Sequence, residues 1–364
     1  MSKSVAIIGA SGAVGSALAS QMLRSQMLEP SDRLQLVGHG AALSEAKLLG
    51  TRIDLLDAFD DERVDVEVVP KICDTEADIV IVAAGATVSP QCRTRRDLGT
   101  TNRTIFEQIA EECASRVPEA VFIVVSNPVE LAVHILSSRL DRHRVIGMGA
   151  QQDSFRFSRA IANDLGISRH DVRASVLGEH GQAMVPIWST VELLTSSPAL
   201  RDALATLKQC SAAVPLAQRI GMLQTEVAQL VEAGCILEAY DATRQSLPDA
   251  RIFVEPFITV HTMHSTPNAT SNATLYCLAA VLANDRRRVH GQVRLEGEAL
   301  DLHGVCGIPL TLGHDGWRQE SLDWLDTAEK AHLVQCVGSI DEFIAAILSQ
   351  PPGEAASTAQ SANL

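Results

Sequence analysis

The sequence predicts an α/β protein with an N-terminal doubly wound parallel sheet and a C-terminal α+β domain. Three observations support this fold class: short β-branched runs alternate with helical stretches at the N-terminus, a glycine-rich turn follows the first run, and the alternation stops near residue 150. We therefore predict domains at residues 1–150 and 151–350. The remaining segment, 351–364, is rich in Pro, Ser, Ala and Gln and is expected to be a disordered tail.

The N-terminal strands are predicted from continuous apolar runs, which are typical of parallel strands buried on both faces. In chain order they are Ser4–Ile8, Arg33–Val37, Val64–Val69, Ile79–Ala83, Val121–Val125 and Arg144–Ile146. Helical periodicity lies between several of them, for example at Gly12–Arg24 and Leu98–Ala114. Strands and helices that alternate at this spacing indicate a parallel sheet with helices on its faces.

The C-terminal part has a different pattern, in which longer helical stretches replace the regular alternation. Helices are predicted at Gln151–Leu165, Leu200–Glu232 and Thr327–Leu348, and strands at Val172–Leu177, Gly291–Leu295 and Val305–Leu312. The last two strands are expected to form an antiparallel piece, and the last helix is expected to close the fold.

Composition and charge exclude several classes of protein. The 364 residues are 46% hydrophobic and 20% charged, which is ordinary for a globular chain, and the formal net charge of -14 argues against a general nucleic-acid binder. The 8 cysteines include no CxxC pair and no zinc-ligand spacing, so we expect no metal site and free thiols in a cytoplasmic protein. No apolar stretch of ~20 residues is evident, so no membrane partner is expected.

The glycine-rich turn is Gly9-Ala10-Ser11-Gly12-Ala13-Val14-Gly15, which follows the first predicted strand and opens a helix. Glycines permit a tight turn and let backbone N–H groups approach a pyrophosphate at the helix N-terminus. In this position the motif predicts a Rossmann-type dinucleotide site, and the alternative is a glycine-rich turn without a ligand. The predicted cofactor contacts here are Gly9, Ser11, Gly12, Ala13, Val14 and Gly15.

The residue expected to hold the cofactor's ribose departs from the usual pattern. Dinucleotide folds place an acidic residue about twenty positions after the glycine turn, at the end of the second strand. Here that strand runs into Gly38, His39 and Gly40. Without the carboxylate a 2′-phosphate is not repelled, and His39 is the nearest candidate cation. We therefore predict NAD as the cofactor, with NADP also admitted.

Three side chains in two motifs suit the oxidation of a hydroxy acid. Asp153 and Arg156 are three residues apart on one face of a predicted helix, and His180 follows a predicted strand. A histidine accepts the hydroxyl proton while hydride leaves the substrate, a carboxylate on its other ring nitrogen sets its tautomer, and a guanidinium binds a carboxylate through two hydrogen bonds. The alternatives are a structural histidine and a helix-surface ion pair of little energetic weight.

Taken in order, these motifs resemble the lactate/malate dehydrogenase family. The resemblance is carried by GASGAVG from Gly9, NPVE from Asn127, DSFRF from Asp153 and GEHG followed by VPIWS from Gly178, and it covers roughly residues 4–350. It implies an NAD(P)-dependent 2-hydroxyacid dehydrogenase, which is an oxidoreductase for a small 2-oxo or 2-hydroxy acid. By analogy it also implies a homodimer or a homotetramer.

The resemblance assigns catalytic roles to four side chains. It makes His180 the proton acceptor and donor, with Asp153 as its partner. Arg156 holds the substrate carboxylate. Arg95, which stands two residues before Asp97, matches the mobile-loop arginine that polarises the substrate carbonyl and helps to bind it.

The resemblance also implies the residues that line the pocket. Asn127, joined to Pro128 by a cis bond, and Thr270 are expected to contact the substrate. The further residues implied for cofactor binding are Gly38, His39, Ala84, Gly85, Asn102, Ser126 and Asn127.

Two departures from the family bear on the substrate. Malate dehydrogenases carry a second arginine early in the mobile loop, where this chain has Val88 or Ser89. The segment Glu238–Thr266 is predicted as an inserted loop near the substrate end. We therefore predict a substrate other than oxaloacetate. The alternatives are a malate dehydrogenase whose second arginine is Arg93 or comes from residues 238–266, and a catalytically silent dinucleotide-binding regulator.

Overall fold

The computed structural model describes residues 2–86, 95–195, 197–263 and 265–350, so the predicted tail at 351–364 lies outside the described residues. Within these ranges the chain forms eleven β-strands and eleven α-helices. The strands are β1 (Ser4–Ile8), β2 (Arg33–Val37), β3 (Asp65–Val69), β4 (Ile79–Val82), β5 (Val121–Val124), β6 (Val145–Gly147), β7 (Val172–Gly178), β8 (Met184–Leu193), β9 (Arg288–Glu296), β10 (His303–Gly313) and β11 (Gly316–Gln319). The helices are α1 (Ala13–Arg24), α2 (Ala42–Phe59), α3 (Arg95–Arg116), α4 (Val129–Leu136), α5 (Gly149–Leu165), α6 (Pro198–Ala213), α7 (Leu216–Glu232), α8 (Ile236–Gln245), α9 (Pro248–Met263), α10 (Pro267–Ala283) and α11 (Thr327–Leu348).

The strands form one sheet in the order β3-β2-β1-β4-β5-β6-β9-β10-β7-β8, and β11 pairs with β10. The first six strands are parallel, which confirms the predicted doubly wound sheet, and each lies within one residue of its predicted ends. The strand order reverses between β1 and β4. In such sheets a ligand binds beyond the carboxyl ends of the strands at the point of reversal.

The C-terminal strands extend this sheet in antiparallel fashion. Gly147 of β6 pairs with Gln292 of β9, and Gly307 of β10 pairs with Gly178 of β7. These contacts place the end of β7, which carries the GEHG motif, on the same sheet as the parallel strands. The predicted α+β character of this part is therefore confirmed.

One helical prediction and one loop prediction for the C-terminal part were wrong. The expected single helix at Leu200–Glu232 is split into α6 and α7, because Pro215 has no N–H to continue the helical hydrogen bonds. The segment Glu238–Thr266, expected to be a loop, forms most of α8 and all of α9. It is therefore a packed helical pair, with Ile252, Phe253 and Val254 of α9 fully buried.

The larger hydrophobic core joins the parallel strands to β9, β10, α10 and α11, while a second core lies between α5, β7, β8 and the helices α6–α9. Judged by length and composition alone, helix α11 could cross a bilayer, although no apolar stretch of that length was predicted from the sequence. Its buried stripe, which includes Leu333, Ile340 and Ile344, packs into the larger core, as the core helix of a globular domain does.

Candidate active site

The glycine turn joins β1 to α1 in the predicted way. Gly9 has φ +89°, and a Cβ atom there would lie 2.7 Å from the backbone of Ala84. A Cβ on Gly15 would overlap the carbonyl oxygen of Gly9. Gly12 is the N-cap of α1 and has no side chain, so no side-chain cap accepts a hydrogen bond from the first backbone N–H groups of the helix. This cradle fits the pyrophosphate of a dinucleotide, and the contacts of Ser11, Ala13 and Val14 stay predictions.

Gly38 lies directly after β2, at the position where dinucleotide folds usually carry an acidic residue. It is buried, and a Cβ atom on it would lie 2.9 Å from Leu48 Cδ1 and 3.3 Å from Ser44 Oγ. His39 is exposed beside it. The structure therefore places a narrow, uncharged backbone turn at the ribose end of the predicted cofactor site.

Asn102 clamps the loops that follow β4 and β5. Its side chain is fully buried; Oδ1 accepts from Ala86 N at 2.7 Å, and Nδ2 donates to Asn127 O at 2.7 Å and to Ala86 O at 3.2 Å. Both amide hydrogens are thus used by the backbone. Asn102 thus positions the backbone of Ala86 and Asn127, and its contact with the cofactor stays a prediction.

The ends of β4 and β5 border a cavity of about 190 Å³. Ser126 Oγ lies 2.6 Å from Ala84 O and 3.0 Å from Val82 O, which ties these strand ends together. The bond between Asn127 and Pro128 is cis, as predicted. The described lining of this cavity includes the predicted site residues Val14, Gly85, Ser126, Asn127 and Thr270.

Three side chains on α5 and after β7 form one hydrogen-bonded group. His180 Nδ1 lies 2.6 Å from Asp153 Oδ2, and Arg156 Nη1 donates to Asp153 Oδ1 at 2.8 Å. The Asp153 side chain is 1% exposed, whereas those of His180 and Arg156 are 15% and 18% exposed. The carboxylate is thus the buried centre, and the ring and the guanidinium reach toward solvent.

The charge on Asp153 sets the tautomer of His180. Burial alone raises the pKa of this carboxyl, but His180 and Arg156 together outweigh it, so the pKa of Asp153 lies below its usual value. The ionised carboxylate only accepts hydrogen bonds, so His180 Nδ1 carries the hydrogen in their bond. Nε2 is then the nitrogen left to exchange a proton with a substrate.

Gly149, the first residue of α5, is a functional residue that the sequence reading missed. A Cβ atom there would overlap the His180 ring, so only glycine lets the ring lie against the start of α5. The available signal was a glycine between a buried strand and the helix that carries Asp153. It was overlooked because nothing in the sequence places residue 149 beside residue 180.

Arg95 is paired with two carboxylates in this structure, and its role toward the substrate carbonyl stays a prediction. Its Nη2 donates to Glu130 Oε2 at 2.6 Å, Nη1 pairs with Glu179, and the guanidinium carbon lies 4.5 Å from the centre of the Phe343 ring. Glu130 is fully buried, and its other oxygen accepts from His180 N at 2.6 Å. In this structure Arg95 and Glu130 hold the backbone of the histidine, and polarising a carbonyl would require Arg95 to leave both carboxylates.

Helix α9 reaches the predicted substrate end. Its Val260 lines the 190 Å³ cavity, and Thr266 borders both that cavity and a neighbouring one of about 570 Å³, which Arg156 lines. The arginines of the segment are engaged elsewhere: Arg251 Nη1 donates to Asp164 at 2.8 Å, and Arg244 pairs with Asp241. Val88, Ser89 and Arg93, on which the remaining substrate argument depends, lie outside the described residues.

Metal chemistry has no evident ligand set in the part of the chain that the structure describes. No group of three or more His, Cys, Asp or Glu side chains is arranged to hold a metal ion there.

Comparison with known protein families matches two consecutive parts of the chain. Residues 3–147 match the model described as lactate/malate dehydrogenase, NAD binding domain, and residues 151–214 match the lactate/malate dehydrogenase, alpha/beta C-terminal domain. The second match ends as α6 ends, before the helices α7–α9.

Relatives of known name match over most of the chain. The L-2-hydroxycarboxylate dehydrogenase (NAD(P)(+)) of Methanocaldococcus jannaschii is 26% identical over 321 residues, covering 86% of this chain and 88% of that protein. The malate dehydrogenase of Trichormus variabilis is 31% identical over 319 residues, covering 86% and 84%. The crystal structure of Cryptosporidium parvum lactate dehydrogenase with lactic acid and nicotinamide adenine dinucleotide is 21% identical, with a TM-score of 0.74 and coverage of 96% and 99%. This last likeness concerns the fold.

Proposed function

The chain belongs to the lactate/malate dehydrogenase family, and on this premise we propose that it interconverts a small 2-hydroxy acid and the matching 2-oxo acid. The observation that carries the proposal is the hydrogen-bonded group of His180, Asp153 and Arg156. A protein that only bound a dinucleotide would have no use for it. The silent-regulator alternative would leave this group without a function.

Each of the three site residues has its own role in the proposed reaction. When bound, the nicotinamide supplies the carbon that accepts hydride as the C2–H bond of the hydroxy acid breaks. His180 Nε2 accepts the hydroxyl proton, and the ionised Asp153 stabilises the imidazolium that forms. Arg156 uses one N–H on Asp153 and has further N–H donors with which to bind the substrate carboxylate.

The residues that would hold the cofactor follow the carboxyl ends of β1, β2, β4 and β5. The backbone of Gly9, Gly12 and Gly15 forms the pyrophosphate turn, and Gly38 lies at the ribose end. Gly85, Ser126 and Asn127 line the 190 Å³ cavity, where we place the nicotinamide and the reacting carbon. The cofactor is a nicotinamide dinucleotide, and we propose that both NAD(H) and NADP(H) are used.

Cofactor choice is expected to change when the missing acid is restored. Gly38→Asp should lower the preference for NADPH over NADH by about tenfold or more, because a carboxylate repels a 2′-phosphate and accepts hydrogen bonds from the ribose hydroxyls. Steady-state kinetics with each cofactor measure the ratio of kcat/KM values. Since any Cβ at position 38 crowds Leu48, Gly38→Ala is the matched control and should affect both cofactors equally. A ratio that is the same in both variants would contradict the placement of the ribose.

We further propose that oxaloacetate is not the preferred substrate. The described lining of the 190 Å³ cavity contains no charged side chain, and Val14, Leu98 and Val260 make part of it apolar. A second carboxylate buried there without a partner costs several kcal/mol. An apolar or merely polar side group of the substrate carries no such cost.

The test of this proposal is a nicotinamide absorbance assay with a panel of 2-oxo acids. We expect kcat/KM for pyruvate, 2-oxobutyrate or a bulkier 2-oxo acid to exceed that for oxaloacetate by about tenfold or more. If oxaloacetate instead gives the highest value, and Arg93→Ser abolishes it, the malate dehydrogenase alternative is correct. Turnover of none of these acids by a protein that binds the cofactor would favour the silent regulator.

The malate dehydrogenase alternative depends on Arg93 or on Arg244 of the segment 238–266. Arg251 is 5% exposed and bound to Asp164, so it is not free to meet a substrate, whereas Arg244 forms only an exposed pair with Asp241. A homodimer or homotetramer and a cytoplasmic location remain proposals from the sequence. Light scattering on the purified protein would measure the first.

A further inference from the structure

Lys71 follows β3 and packs against the loop at the end of β2. Its Cγ and Cε lie 3.5 Å and 3.8 Å from the position that a Cβ atom on Gly40 would occupy. Backbone hydrogen bonds hold the two strand ends together, from Gly38 N to Val69 O at 2.9 Å and from Gly40 N to Pro70 O at 2.8 Å. The stem of Lys71 is therefore held beside the turn that lacks the usual acid.

The polar ends of the side chains around this turn are not taken by other protein groups. Over the described ranges, neither Lys71 Nζ nor the His39 ring has a hydrogen-bond or ion-pair partner, and both residues are exposed. Ser44 Oγ lies 3.3 Å from the Cβ position of Gly38. The stem of Lys71 thus lies beside Gly40 and the Ser44 hydroxyl beside Gly38, and His39 is the exposed residue between these two glycines.

We infer that Lys71, with Ser44 and His39, forms the subsite that binds the 2′-phosphate of NADP. The inference rests on the proposed function, because it places the ribose of the dinucleotide at the end of β2. Lysine binds a phosphate as a point charge, and a serine hydroxyl donates to a phosphate oxygen. The ammonium group of Lys71 comes from the segment after β3, whereas the sequence pattern predicts ribose contacts only from the residues directly after β2.

One nearby charge opposes phosphate binding. Glu45 lies in the first turn of α2, which begins without a side-chain cap and therefore offers free backbone N–H groups to a phosphate. The carboxylate of Glu45 offsets part of that attraction. Lys71 is accordingly the side chain on which discrimination between NADP and NAD depends.

Binding of the reduced cofactors provides the test, because nicotinamide fluorescence does not require turnover. Lys71→Gln is expected to raise the Kd of NADPH by about tenfold, or ~1.4 kcal/mol, and to leave the Kd of NADH within about twofold. Lys47→Gln removes the same charge from exposed α2 and should leave both Kd values within about twofold. Competition by 2′,5′-ADP should weaken in Lys71→Gln, whereas competition by 5′-AMP should not.

An unchanged NADPH Kd in Lys71→Gln, or equal losses for NADPH and NADH, would overturn the assignment. So would an effect of Lys47→Gln as large as that of Lys71→Gln, since it would show a general charge effect. Wild-type protein that binds both cofactors but turns over no 2-oxo acid would contradict the proposed function and leave the phosphate subsite standing. The two proposals therefore fail on different measurements.

Discussion

Replacement of His180 by asparagine is expected to lower kcat by ~10²–10⁴-fold or more. The imidazole is the group that exchanges the substrate proton, and its Nδ1 is held 2.6 Å from Asp153. Asparagine is smaller, carries no titratable nitrogen and leaves Asp153 bound to Arg156. The chain should therefore fold and bind cofactor while catalysis is lost.

Three measurements on His180→Asn separate catalysis from folding: kcat on the best 2-oxo acid, the Kd of NADH and the melting temperature. The control is His332→Asn on the exposed side of α11, which should leave all three unchanged. Near-normal turnover in His180→Asn would remove the centre of the proposed mechanism. A large fall in melting temperature with lost NADH binding would instead make His180 a structural residue.

The second large effect is expected for Asp153→Asn, with a loss of ~10²–10⁴-fold in kcat/KM. The neutral amide cannot stabilise the imidazolium, and its NH₂ group favours the opposite tautomer of His180. It also weakens the bond that orients Arg156, so KM for the substrate should rise together with the fall in kcat. Asp164→Asn is the matched control on α5, because it breaks the ion pair with Arg251 outside the site. That control should lower the melting temperature without a comparable loss of kcat.

Asp153 also predicts a pH dependence of stability. The pKa of Asp153 is lower in the folded chain than its usual value, so its contribution to stability is present above about pH 4 and is lost as the pH falls through the folded value. The difference in melting temperature between the wild type and Asp153→Asn should accordingly shrink on acidification. A difference that stays constant from neutral pH to below pH 4 would show that the ionised carboxylate contributes no net stability.

Local patterns in the sequence were enough to predict the parallel sheet and to single out the side chains that the structure brings together around Asp153. Mainly apolar runs of strand length predicted all six N-terminal strands, because most positions of a strand buried on both faces are apolar. Asp153 and Arg156 were recognisable as a pair from helical spacing, and Gly9 and Gly15 from the turn between a strand and a helix. These signals act over a few residues, so they can be read along the chain.

Contacts between distant parts of the chain were decided only by the tertiary structure. Three such contacts join segments that come together only when the sheet forms. They are the contact of Gly149 with His180, the ion pair of Arg95 with Glu130, and the packing of Lys71 beside Gly40. The prediction of a loop at α8 and α9 was likewise wrong, because these helices are stabilised by packing against α5 and α7. The sequence by itself determined the chemistry of this site, whereas packing determined which side chains remain free to perform it, because burial and hydrogen bonding are properties of neighbours in space.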